Sequence, residues 1–412
     1  MKRVLLAAVL ALASCATPEA REDRCERVKT RLDACAGTSF ARIDCSAVST
    51  ADLDRLDDLG QGLACQALQG VAPTDGDPLS ATCRLLGVGC VPSVTPAPQH
   101  TPARYPVLLV NGIDTSPLFR YSPRILSTMR EGGGHRVFLA TLPPYEAPRV
   151  RAPELWRRIA EVRAETGAEK VNLICHSLGG LDCRYLVSPS GLAADLDVPR
   201  DTMAKTVASI TTVGTAHHGT RVADVLLGIL PDGDHGKTVN DFATLAGDLF
   251  SARRLHDDVH LRAALGALSV AQAPAFNAEI ADAPGIVYQS WAGYSRPMGI
   301  ATAEHDALLA EECRTSVGES GLPTAGKHDF MALALIPFAD IAGKQGLDRP
   351  SLPNDGLATI ASAKWGTFRG CIPADHMEQL GQKNIPDVNV RTGFDVARFY
   401  ANVAGDLAGH GL

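Results

Sequence analysis

No apolar run in this 412-residue sequence reaches the ~20 residues that a membrane-crossing helix needs. No basic stripe is visible, and the net charge is -7, which argues against a nucleic-acid partner. No internal repeat recurs along the chain. Six cysteines crowd one short region (Cys25, Cys35, Cys45, Cys65, Cys83 and Cys90), yet no two of them have the Cys-x-x-Cys spacing of a metal site. What is present is 45% hydrophobic and mildly acidic, the composition of a soluble globular protein, over a length greater than one ordinary domain needs.

The N-terminus reads as an export signal. Lys2 and Arg3 precede an apolar run from Val4 to Ala13. The run ends in Leu12-Ala13-Ser14-Cys15, which resembles the lipobox of bacterial lipoproteins, where the cysteine is acylated and becomes the first residue. The expectation is a lipoprotein-type signal peptide over 1–15 and a membrane anchor at Cys15. Ala16, rather than aspartate, then points to the outer membrane. Cleavage after Ala11-Leu12-Ala13 is the alternative, and gives a periplasmic or secreted protein. Export explains eleven cysteines, many for a reducing cytosol. Residues 16–91 read as a small helical module held by disulfides, with 15 pairings open for its six cysteines. A stiff proline-rich linker follows over 92–104.

From residue 105 to 412 the pattern becomes that of an α/β domain. Val107–Gly112, His135–Leu142, Lys170–Cys175, Val207–Gly214 and Gly285–Gly293 are apolar-rich runs of the kind that parallel sheets bury on both faces. Leu155, Ile159 and Val162 sit at helical spacing over 153–167, with Gly167 as a stop. Strands alternating with helices predict a mostly parallel sheet covered by helices.

The chemistry concentrates at Val171–Leu186, VNLICHSLGGLDCRYL. A serine between a strand and a helix, with small residues two positions to either side, is the context of a nucleophile elbow. Gly179 supplies one small residue. Cys175 stands where glycine is usual. Ser177 is therefore the candidate nucleophile, against the plainer reading of a helix cap. A serine hydroxyl needs a base, and the base needs an orienting carboxylate. In this fold the chain order is serine, acid, histidine. Asp355, in the turn Pro353–Leu357, is the candidate acid. Of twelve histidines, His376 and His410 lie downstream of it, and His376 is chosen because His410 sits at the C-terminus. Asp375 is a weaker rival for the acid. The oxyanion donors are expected at the backbone N–H groups of Leu178 and Ile113.

Taken together, YPVLLVNGI, VNLICHSLGGLDCRYL, VASITTVGTAHHGTRVAD, ALSVAQAPAFN, YQSWAG and NDGLATIASAKWG followed by His376 resemble the bacterial true lipases, the triacylglycerol lipases of the Pseudomonas and Burkholderia type. The resemblance implies an α/β-hydrolase fold with a helical lid insert over 220–262, and a triad of Ser177, Asp355 and His376. It implies a structural calcium held by Asp329, Glu378, Gln382 and Pro386, with glutamate at 378 where the family has aspartate. It also implies an acylglycerol substrate met at a lipid interface, and a foldase as partner. Asn111 replaces the family's histidine before Gly112. Cys313 and Cys371 are candidates for a bridge of their own, whereas Cys175 and Cys183 are expected as free thiols. The expected function is an exported serine carboxylic ester hydrolase, a lipase or esterase working through an acyl-enzyme. The alternatives are hydrolysis of another ester (a polyhydroxyalkanoate or a phospholipid) and a non-catalytic surface-anchored binding protein.

Overall fold

Four-residue stretches such as Val107-Leu108-Leu109-Val110 have no polar face, so they are stable only where both sides are covered. The structure, a computed structural model, buries them that way. It describes residues 21–36, 45, 101–115, 119–229, 261–299, 302–318, 329–344, 350–381 and 394–412. The expected signal peptide, linker start, Gln382 and Pro386 lie outside those residues, as does most of the expected lid. The chain divides into two compact units, Met1–Thr95 and Pro96–Leu412.

In the first unit, helix α1 (Arg21–Ala36) carries Cys25, which is bonded to Cys45. The second unit is built on one six-stranded sheet. Its strands are β1 (Val107–Val110), β2 (Val137–Ala140), β3 (Val171–His176), β4 (Val207–Val213), β5 (Val287–Gly293) and β6 (Thr367–Ile372). Their spatial order is β2-β1-β3-β4-β5-β6, and every neighbouring pair is parallel. The alternation of side chains divides the core into two layers. Leu109, Ile174 and Val213 pack with Val396, Tyr400 and Ala404 on one face. Leu108, Val110, Leu173 and Cys175 pack with Leu155, Ile159 and Val162 on the other.

Helix α2 (Pro148–Thr166) begins five residues before the helix expected from the sequence. Pro148 starts it where no N–H is needed, and Gly167 ends it in the left-handed region at φ 66. The earlier start adds Arg151 to the buried stripe of Leu155, Ile159 and Val162. Helix α3 (Gly179–Val187) leaves the end of β3 and is buried along its whole length. Helix α4 (Arg221–Ile229) and helix α5 (Leu261–Ala267) flank the interval 230–260. The C-terminal helix α6 (Val396–Gly409) covers the sheet's first face. A parallel sheet brings all its strand-to-helix turns to one edge, and there the candidate residues meet.

Candidate active site

Ser177 occupies the turn between β3 and α3 at φ 54, one of three non-glycine residues with positive φ among those described. Such a backbone is strained for a residue with a Cβ, so the surroundings must hold it. They do so by close contact. Ser177 N–H donates to the Val213 carbonyl at 3.0 Å, and Thr215 Oγ1 donates to the Ser177 carbonyl at 2.7 Å. Gly179 and Gly180 face Asn111 and Thr215 so closely that a Cβ would approach them to 2.6 Å and 2.2 Å. That is why both positions after Leu178 are glycine.

The three residues predicted from chain order converge. His376 Nε2 lies 2.9 Å from Ser177 Oγ, and His376 Nδ1 lies 2.8 Å from Asp355 Oδ2. The expected turn positions Asp355. Its Oδ1 accepts the N–H groups of Leu357 and Ala358, while Asn354 Oδ1 accepts Gly356 N–H. The His376 N–H donates to the Asp355 carbonyl at 2.8 Å, which joins the two loops through the backbone as well. The rival Asp375 turns away: its oxygens accept the N–H groups of Ala332, Met377 and Glu378. His410 is at the far end of α6 and bonds to the Asp406 carbonyl.

The elbow residue His176 is fully buried, with its ring centroid 4.6 Å from that of His376. Burial, and then the neighbouring His376, hold it well below the usual imidazole range. It stays neutral, so no like charge opposes a proton on His376.

Gly112 lies directly against Ser177. A Cβ there would come within 2.9 Å of Ser177 Cβ and 3.4 Å of its Oγ. Asn111, in the family's histidine position, fastens the same loop by donating to the Gly112 carbonyl and accepting Leu142 N–H at 2.7 Å. Arg151, which the sequence reading did not single out, fastens it from behind. Nη2 donates to the carbonyls of Asn111 and Gly112 at 3.0 and 2.7 Å, and Nη1 to the Pro143 carbonyl at 2.6 Å. Its Nε donates to Asp182 Oδ2, on α3, at 2.8 Å, and both side chains are fully buried. Burial pushes the Asp182 carboxyl up to about 6, against the pull of Arg151. The signal that could have found Arg151 is its place four residues before Leu155, on the apolar stripe of α2.

Ser177 and His376 open onto an apolar pocket lined by Ile113, Val222, Leu226, Leu261, Leu265 and Leu268. Val222 and Leu226 come from the first turns of the expected lid, α4. Val239, Phe242, Leu245 and Leu249, which recur at helical spacing in the sequence of the expected lid, lie outside the described residues. An alcohol hydrogen-bonded to an imidazole at the mouth of an apolar pocket is suited to attack a carbonyl carbon that carries an acyl chain.

Of the expected calcium ligands, Asp329 and Glu378 are both buried, while Gln382 and Pro386 lie outside the described residues. Asp329 Oδ2 accepts Asp375 N–H at 3.2 Å. Burial, with the charge of Asp329, pushes the Asp375 carboxyl up to about 7. Among the described residues no group of three or more His, Cys, Asp or Glu side chains is arranged to hold a metal. The all-oxygen donor set has the chemistry calcium takes, but two carboxylates alone are fewer than its six to eight oxygens.

One cysteine expectation is corrected. Cys175 and Cys183 are not free thiols: they form a disulfide, because the elbow folds α3 back along β3 until their Cα atoms lie 7.0 Å apart. Cys313 and Cys371 do pair, with Cα atoms 5.4 Å apart.

No protein-family model matches the sequence. A triacylglycerol lipase of Burkholderia plantarii is 30% identical over 321 residues, which cover 72% of this chain and 84% of that one. A triacylglycerol lipase of Pseudarthrobacter phenanthrenivorans is 30% identical over 310 residues, 69% of this chain and 91% of that one. Among solved structures, lipase 1 of Pelosinus fermentans aligns at 18% identity over 74% of this chain and 98% of its own, with a TM-score of 0.45. By these sequence relationships the chain belongs to the bacterial triacylglycerol lipases, enzymes of the α/β-hydrolase fold.

Proposed function

We propose that the protein is an exported serine ester hydrolase that cleaves acylglycerols through an acyl-enzyme. The observation that carries this reading is the unbroken row from Ser177 Oγ through His376 to Asp355, opening on an apolar pocket. In this reading Ser177 Oγ attacks the ester carbonyl and passes its proton to His376 Nε2. Asp355 holds the tautomer in which Nε2 accepts, and stabilises the imidazolium that results. The N–H groups of Ile113 and Leu178 receive the oxyanion, and the tetrahedral intermediate collapses as His376 protonates the departing alcohol. Water, deprotonated by His376, then releases the fatty acid and restores Ser177. A calcium ion bound by Asp329, Glu378 and the carbonyls of Gln382 and Pro386 would brace the segment that follows His376. It enters no chemical step.

Export is supported by the N-terminal residues and by the disulfides Cys25–Cys45, Cys175–Cys183 and Cys313–Cys371, which suit an oxidising compartment. Ser177→Ala is expected to abolish turnover of p-nitrophenyl esters and labelling by a fluorophosphonate. Turnover at the parental rate in that variant refutes the assignment.

A further inference from the structure

The acid of the row has a fourth contact that the mechanism above leaves unused. Asp355 Oδ1 is filled by two backbone N–H groups, and Oδ2 accepts His376 Nδ1. The remaining site on Oδ2 accepts the side-chain amide of Gln379, from Nε2 at 2.8 Å. A carboxylate offers about four acceptor sites, so all are occupied.

The amide is built into the structure. Gln379 is fully buried, in the short 3-10 turn Glu378–Leu380 that follows His376. Its N–H donates to the Asp375 carbonyl, and its carbonyl accepts Tyr400 Oη at 3.1 Å from α6. Two glycines make the slot for its side chain. A Cβ at Gly214, just past β4, would meet Gln379 Oε1 at 2.2 Å, and one at Gly293, ending β5, would meet Nε2 at 2.0 Å. Two strand ends are thus left without side chains at the points where this amide passes between them. Because Oδ2 can only accept, the amide must present nitrogen to it, which fixes the orientation.

We propose that Gln379 is a positioning residue for the acid: its amide holds Asp355 Oδ2 in the plane of the His376 ring, so that the imidazole presents Nε2 to Ser177. The proposal rests on the reading of Ser177, His376 and Asp355 as the reacting row. A neutral donor suits this place. A carboxylate of the same size would set a second anion against Asp355, and a shorter side chain would not span the slot. Without the amide, one acceptor site on Oδ2 is empty and the carboxylate is held about its Cβ–Cγ bond by the Leu357 and Ala358 N–H groups and His376 alone, so the direction of the base is less firmly set.

The test is Gln379→Met, which fills the slot without a donor, assayed on a soluble p-nitrophenyl ester with kcat and KM resolved. The expected result is a loss of kcat of about tenfold or more, the range of a hydrogen bond to a charged group, with KM within about twofold of the parent. In a His376→Ala background the same substitution should add no further loss, because Gln379 acts through the imidazole. A kcat unchanged by Gln379→Met overturns the proposal. So does a loss that persists at full size beside His376→Ala, or a KM that rises in step, since either marks a general structural effect. Should Gln379→Met not fold, Gln379→Glu keeps the slot filled by a side chain of equal size, and its kcat is expected to fall at least as far. Full activity in Gln379→Glu overturns the proposal equally. A dead Ser177→Ala beside a fully active Gln379→Met rejects this inference alone, whereas an active Ser177→Ala rejects the parent reading and this inference with it.

Discussion

Arg151 gives the sharpest quantitative test, because one side chain touches both the oxyanion loop and the helix behind the nucleophile. The Gly112 carbonyl and the Ile113 N–H belong to one planar peptide unit. A guanidinium nitrogen 2.7 Å from that carbonyl therefore fixes where the N–H on the opposite side of the plane points. Arg151→Lys keeps the charge and loses the fork. One ammonium cannot reach Asn111, Gly112 and Pro143 and still meet Asp182. If the peptide is then free to turn, the cost is that of one oxyanion donor, about 3 kcal/mol of barrier, or about 100-fold in kcat. KM should hold, since the donor acts on charge that develops only in the transition state. Stability is a separate matter. Arg151→Met strands Asp182 in the interior, a loss of about 3–5 kcal/mol. Arg151→Met with Asp182→Leu removes the stranded charge, so the double variant should recover most of that stability in chemical denaturation while kcat stays low. A double variant with parental stability and parental kcat refutes the reasoning, because the loop would then keep its shape without Arg151.

Two more results follow from the buried acids. The Asp182 carboxyl, raised to about 6 in the folded chain from an ordinary value near 3.8, binds its proton more tightly folded than unfolded. Its contribution to stability therefore falls as pH rises from about 4 to about 6 and is level above that. The thermal midpoint of the Arg151→Met, Asp182→Leu double variant, followed from pH 4 to 8, should lack this component, and identical profiles for the two proteins would contradict it. For calcium, chelation should lower the thermal midpoint by several degrees, and added calcium should restore it. A midpoint indifferent to both, with no calcium retained on dialysis, removes the ion from the reading.

The sequence made the row legible because three kinds of constraint overlap there. The elbow demands small residues around Ser177, the chain order demands an acid and then a histidine, and the Asn-Asp-Gly turn marks where the acid can sit. Strands β1, β3 and β4 were legible because both of their faces are buried, and β2 and β5 because their runs are rich in apolar residues although Leu139 and Val287 are exposed. The sixth strand, Thr367–Ile372, was not, since Thr, Arg and Gly interrupt it at the edge of the sheet. Arg151 escaped because Pro153 looked like a helix start, although the chain opens the helix at Pro148. The Cys175–Cys183 bond escaped for a different reason. A separation of eight residues says nothing about distance until the reversal at Ser177 is known.

These misses share a physical origin. Strand periodicity and turn chemistry are local, whereas the groups that were missed act on atoms contributed by other segments. Arg151 binds carbonyls about forty residues upstream. Gln379 reaches a carboxylate that another loop delivers. Neither belongs to the reacting row, yet each braces a group beside it. In the proposed mechanism Arg151 sets the direction of a donor to the oxyanion, and Gln379 sets the direction of the base. Because the oxyanion donors still work when the imidazole is gone, the two should separate in a His376→Ala background. Arg151→Lys loosens a donor the residual reaction uses, and Gln379→Met removes a support it does not use. The buried polar groups around Ser177 therefore form two devices with distinct targets, joined only where the elbow brings β3, α3 and the loop after β1 into contact.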